Sequence, residues 1–129
     1  MSWSEALLAL LVSHAVGDVL LQTDWQARTK VRGVGDPVGR RALARHISAY
    51  MLAFLPALVW IAAEVTILRA IAVGALVSIP HLVIDDGRLV SAWLRKVKRA
   101  ADPTTALSIA VDQTFHIVCL LGAALVAAI

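Results

Sequence analysis

Four long apolar stretches divide the chain, at about 3–24, 41–63, 66–88 and 104–128, and each breaks its run of hydrophobic positions at only a few ionisable residues. Each approaches the roughly 20 residues a helix needs to cross a hydrocarbon core. None alternates like a strand, and a bilayer admits only helices or closed barrels, which satisfy their own backbone. The pattern predicts an all-α fold: a four-transmembrane-helix bundle forming a single integral membrane domain over residues 1–129. Pro56 and Pro80 fall inside apolar stretches, where they predict kinks. Asp102-Pro103-Thr104 reads as the start of the fourth helix, since proline is tolerated in a first turn. The first stretch carries Glu5 and no basic leader, so it reads as a retained helix and not a cleaved signal.

Composition agrees with this pattern. Hydrophobic residues make up 60% of the chain and mean hydropathy is +0.79, against the about 45–50% apolar residues of soluble domains. Charge then orients the helices. Of twelve Lys and Arg, all but Arg69 lie between Arg28 and Arg45 or between Arg88 and Arg99. Basic flanks mark the cytoplasmic side, which places both connections inside and both termini outside, in the cytoplasmic (inner) membrane. Tryptophan favours the interfaces, and Trp3 and Trp60 fall at the predicted outer ends, Trp25 and Trp93 at the inner ones. The connection Thr29–Arg41 is Gly-rich and charged, with Pro37 barring a continuous helix, and is expected to stay flexible. Leu89–Lys98 is basic and amphipathic, the pattern of a short interfacial helix between the third and fourth spans.

The polar positions inside the apolar stretches carry the candidate chemistry. Each stretch holds one of the four histidines, His14, His46, His81 and His116. Three are spaced four residues from an aspartate, as His14/Asp18, His81/Asp85 and Asp112/His116. That spacing puts each pair on one helix face. A charge at mid-membrane costs about 2.5–3.5 kcal/mol on insertion scales, so three aspartates require a compensating interaction. The order reverses in the fourth stretch, as does the predicted helix direction. All three carboxylates therefore lie on the cytoplasmic side of their imidazoles, and seven potential ligands from four helices are expected in two stacked layers.

Imidazole and carboxylate suit zinc first, and also manganese or iron, as one ion or two. Asp85 or Asp112 would serve as general base, and His46, which lacks a paired aspartate, as ligand or acid–base group. Gln22, Gln113, Lys30 and Tyr50 are secondary candidates, and Arg88 joins Lys30, Arg41 and Arg45 around the predicted cytoplasmic mouth. Asp86 points away from Asp85 and is expected to pair with Arg88 or Arg45. Cys119 is the lone cysteine, which excludes a disulfide framework and a Cys-based metal motif. There is no Gly-rich phosphate loop or serine elbow, and only generic basicity points to nucleic acid, so no nucleic-acid partner is expected.

The ordered elements H14-x-x-G17-D18-x-x-L21-Q22, W25, K30, H46-x-x-x-Y50, H81-x-x-x-D85 and D112-Q113-x-x-H116 resemble domain-of-unknown-function family 3307, small bacterial membrane proteins. More loosely, the pattern is similar to membrane-bound metal-dependent hydrolases. The resemblance implies a membrane location, the same seven ligand positions, and Gln22, Lys30 and Gln113 beside them. The expected function is metal-dependent hydrolysis of an ester or phosphoester of a membrane lipid or amphiphile, with lipids as partners and a homo-oligomer left open. The alternatives are a metal-ion or proton transporter, and a structural membrane subunit whose His–Asp pairs join its helices.

Overall fold

The computed structural model describes residues 1–129 as an all-helical chain without strands. Helix α1 spans Trp3–Ala15 and continues as a wider π-helical turn over Val16–Leu20, closed by Leu21 N–H donating to Val16 O at 2.9 Å. A short helix α2 follows over Asp24–Lys30, then α3 over Pro37–Glu64, α4 over Ile67–Asp85, α5 over Arg88–Lys96 and α6 over Thr105–Ala128. Four of these segments are long and apolar enough to cross a membrane: Trp3–Leu20, α3, α4 and α6. Their outward faces carry Leu8, Val12, Leu52, Val59, Ile71, Ile79 and Val118, exposed as on a lipid-facing surface.

Local chemistry accounts for the departures from the apolar pattern. The first stretch does not run unbroken to residue 24, because Thr23 starts a new helix. Its hydroxyl accepts from Gln26 N–H while the Gln26 side-chain oxygen accepts from Thr23 N–H, a reciprocal capping box. The connection expected to be flexible is largely ordered. Thr29 and Lys30 close α2, and Pro37, instead of barring a helix, opens α3 at its first position behind the Asp36 cap. Pro56 and Pro80 lie within continuous helices. Helix α6 begins at Thr105, capped by Thr104, so Pro103 precedes the helix. The amphipathic segment forms α5 and buries Val90 and Leu94 with Ile84 and Val111.

One half of the bundle is filled by Ala6, Leu10, Phe54, Ala57, Ile61, Val73, Ala123, Ala124 and Ala127, a buried cluster in which alanines let the helices approach closely. At the other end lie α2, α5 and both basic connections. These are tied by Asp86, which accepts from Val34 N–H at 2.9 Å and pairs with Arg88. The guanidinium of Arg88 holds the Asp86 carboxyl below the usual carboxylate range. Arg45, the other expected partner, instead lies over the Trp25 ring, 5.8 Å from its centroid.

Candidate metal centre

The π-helical turn sets the geometry of the first motif. It brings Gly17 so close to α3 that a Cβ there would lie 2.7 Å from the Tyr50 ring and 3.1 Å from its Cα. Wider turns of this kind recur at functional sites. Asp18, in the same turn, reaches the residues that α3 and α4 send inward from the opposite side.

Asp85 is the hub. Its Oδ2 lies 2.8 Å from Lys30 Nζ, 3.0 Å from His46 Nε2 and 3.1 Å from His81 Nε2. Asp18 Oδ1 lies 3.2 Å from His46 Nε2 and 3.5 Å from Lys30 Nζ. The two Nε2 atoms of His46 and His81 are 3.0 Å apart. Gln22 donates to Asp18 Oδ1 at 2.9 Å and lies against the His46 ring. The two stacked layers expected from the spacing thus close into one buried cluster, since Asp18 and Asp85 sit in contact with the histidines of α3 and α4.

The orientation of His116 follows from its hydrogen bond. Its Nδ1–H donates to the backbone oxygen of Asp112 at 3.0 Å, which turns Nε2 toward Asp85. That nitrogen lies 3.7 Å from Asp85 Oδ1, and neither atom has a hydrogen-bond partner; His81 Nδ1 also lacks one. An unprotonated imidazole nitrogen and a carboxylate oxygen facing each other at this distance leave room for a shared cation. Bonds of about 2.1 Å to one metal place its ligand atoms about 3.0–3.4 Å apart, close to the spacings in this cluster. Three overlapping groups have donor atoms within 4.8 Å of one another and could hold a metal ion: Asp18/His46/His81/Asp85, His14/Asp18/His116 and Asp85/Asp112/His116.

His14 is differently placed. The Tyr50 hydroxyl donates to its Nδ1 at 3.0 Å, and its Nε2–H donates to Gln113 Oε1 at 3.0 Å. Gln113 Nε2 passes the chain on to Asp18 Oδ2 at 2.8 Å and Asp112 Oδ2 at 3.2 Å. Both His14 nitrogens are occupied, so this ring orients Asp18 through Gln113 while the other three histidines point at Asp85.

Lys30 does not ring an open mouth. It is buried to 8% exposure and inserts its ammonium between Asp18 and Asp85. Arg88 is drawn to Asp86 and does not join the cluster. Beside the cluster opens a cavity of about 880 Å³. Its polar end is formed by Asp18, Gln22, Lys30, Asp85, Asp112 and Gln113, its apolar walls by Val19, Val90, Leu94 and Ile109. Arg95 and Ser91 of α5 also line it. The sequence reading missed these two. Their four-residue spacing on an amphipathic helix was visible, but not that α5 folds back as a cavity wall.

A four-span helical bundle with a buried His/Asp/Lys centre opening to a cavity at one end defines the class of this protein. Within that class, the chain belongs to the family described as protein of unknown function (DUF3307), whose model matches residues 6–128. No curated protein and no solved structure matches the chain.

Proposed function

We propose that the chain is a metal-dependent hydrolase of the cytoplasmic membrane, acting on an ester or phosphoester of a lipid or other amphiphile. The observation that carries the metal is the opposed, unpartnered pair His116 Nε2 and Asp85 Oδ1. With the imidazoles neutral, as metal ligands require, Asp18, Asp85 and Asp112 against Lys30 leave two negative charges, which one divalent cation neutralises. In this reading His46, His81, His116 and Asp85 hold the ion, with Asp18 completing its surroundings, and zinc suits the donor set best. When bound, such an ion polarises the scissile group and makes water acidic enough to attack near neutral pH.

The chain's own residues would do the rest. Asp112 borders the cavity with its side chain 26% exposed, whereas Asp85 is enclosed by nitrogen atoms. Asp112 is therefore the general base. It takes a proton from water as the water oxygen bonds to the ester carbon or phosphorus. It returns that proton to the leaving alcohol oxygen as the ester bond breaks. Lys30 balances the carboxylates, and Val19, Val90, Leu94 and Ile109 receive the apolar chain. The filled half of the bundle beyond Tyr50 favours this one-sided site over an ion path.

The test is metal content of detergent-purified protein after reconstitution with zinc, beside His116→Ala, together with release of alcohol from a medium-chain ester and phosphoester. Stoichiometric metal in wild type, lost in the variant along with turnover, is the expected result. Wild-type protein that stays free of metal sinks the proposal.

A further inference from the structure

We infer that the cavity selects an amphiphile bearing a phosphate group, and that Arg95 is the residue that reads the phosphate. This inference rests on the metal-centre reading and narrows its substrate class. The cavity has two cationic side chains on its lining, Lys30 and Arg95. Lys30 is committed, with its ammonium 2.8 Å from Asp85 and 3.5 Å from Asp18. Arg28, Arg32 and Arg88 pair with Asp24, Asp36 and Asp86, whereas Arg40, Arg41, Arg45, Arg95 and Arg99 take part in no ion pair, and of these Arg95 alone lines the cavity.

With one divalent cation in the cluster, the charges of Asp18, Asp85, Asp112 and Lys30 cancel. The remaining cavity carboxylate, Asp24, is matched by Arg28 at 2.9 Å. Arg95 is then the one uncompensated charge on the lining, and it is positive. A guanidinium offers a planar fork of donors suited to two oxygens of a phosphate, and a neutral ester makes no use of it. Helix α5 supplies the complementary part of the site. Val90 and Leu94 are buried on the face beside Arg95, so one helix presents an apolar strip and a cation to the same ligand. A cavity lined by both an apolar strip and an uncommitted guanidinium fits a molecule with a phosphate and a hydrocarbon chain.

The test uses zinc-loaded full-length protein in a neutral detergent and measures binding of dodecyl phosphate, inorganic phosphate and dodecyl acetate, with metal content read on the same samples. Arg95→Gln is expected to weaken dodecyl phosphate binding about 10- to 100-fold, the range for losing a charge-assisted contact, at unchanged metal content. Arg95→Lys recovers part of it, and Lys96→Gln on the same helix leaves it at the wild-type value. Dodecyl phosphate binding that is equal in wild type and Arg95→Gln, both metal-loaded, overturns the assignment of Arg95. Dodecyl acetate binding as tightly as dodecyl phosphate overturns the phosphate class, and inorganic phosphate binding equally well overturns the amphiphile. Protein that takes up no zinc fails at the earlier step, the metal centre itself, and that failure is read directly from metal content.

Discussion

His116 Nε2 and Asp85 Oδ1 face each other across 3.7 Å in the bundle interior, each without a hydrogen-bond partner, while His116 Nδ1–H donates to the carbonyl of Asp112. Buried polar groups are nearly always satisfied, and the exceptions mark strain, a catalytic group, or a place for a water or an ion. Completing this pair with a cation requires a carboxylate on one side and an unprotonated imidazole on the other. Asp85→Asn and His116→Ala should each abolish the zinc-dependent rise in Tm seen for wild type, with affinity lowered at least about 100-fold, beyond the 10- to 100-fold typical of losing an orienting partner. Titration of zinc against Tm in detergent measures this. An undiminished rise in both variants would falsify the pairing as a metal site.

The chain from Tyr50 through His14 and Gln113 to Asp18 predicts a smaller effect of the same kind. Gln113→Leu removes the acceptor that fixes the His14 tautomer and the donor to Asp18, yet deletes no atom that points at Asp85. Zinc affinity should fall about 10- to 100-fold, with stoichiometry preserved at high zinc. Loss of stoichiometric binding would instead place Gln113 or His14 among the ligands.

Much of this site was legible in the sequence because helical spacing is rigid. His81/Asp85 and Asp112/His116 could only project from one face each, and the reversed order in the last span placed both aspartates on one side. What spacing cannot carry is hydrogen-bond competition and chain reversal. His14 shares the spacing of the others but is taken up by Tyr50 and Gln113, groups that come from α3 and α6. Lys30 read as a secondary candidate at a cytoplasmic mouth, and it is instead the buried partner of Asp85, because Thr23 restarts the chain as α2 and folds it under the bundle. The π-helical turn around Asp18 likewise left no mark in the apolar pattern, beyond the glycine that it needs.

That glycine sets the closest approach in the site. A methyl group at Gly17 would stand 2.7 Å from the Tyr50 ring and 3.1 Å from its backbone, so a side chain and a main chain must both yield. Gly17→Ala should destabilise the bundle by about 1–3 kcal/mol, the usual cost of overpacking. It should also loosen the Tyr50–His14 hydrogen bond and so weaken zinc binding. Thermal unfolding in detergent checks the first effect, and an unchanged Tm contradicts the close packing of α1 on α3.

Acid should weaken the start of α3. Asp36 accepts from Gly39 N–H at 2.7 Å and pairs with Arg32 at 2.9 Å, and the backbone bond to Gly39 holds its carboxyl below the ordinary value. A depressed pKa contributes stability above the unfolded value of about 4, and that contribution is lost as pH falls through the lowered one. Asp36→Asn keeps the cap without the charge. Wild type should melt above this variant at neutral pH, with the gap closing in acid; a gap constant down to pH 3 contradicts the charge as its source.

Lys30 predicts a gain and a loss together. Its ammonium is the cluster's own cation, held by Asp85 and Asp18 with little access to solvent. Lys30→Met leaves those carboxylates without it, and removing one partner of a buried pair costs about 3–5 kcal/mol. The metal-free variant should therefore melt below wild type. The same change makes the cluster more negative by one charge, which favours a divalent ion in its place. Zinc should bind Lys30→Met more tightly than wild type and raise its Tm by a larger increment. If zinc binding instead weakens in Lys30→Met, the ammonium supports the metal rather than competing with it, and the charge balance drawn for Asp18, Asp85 and Asp112 is wrong.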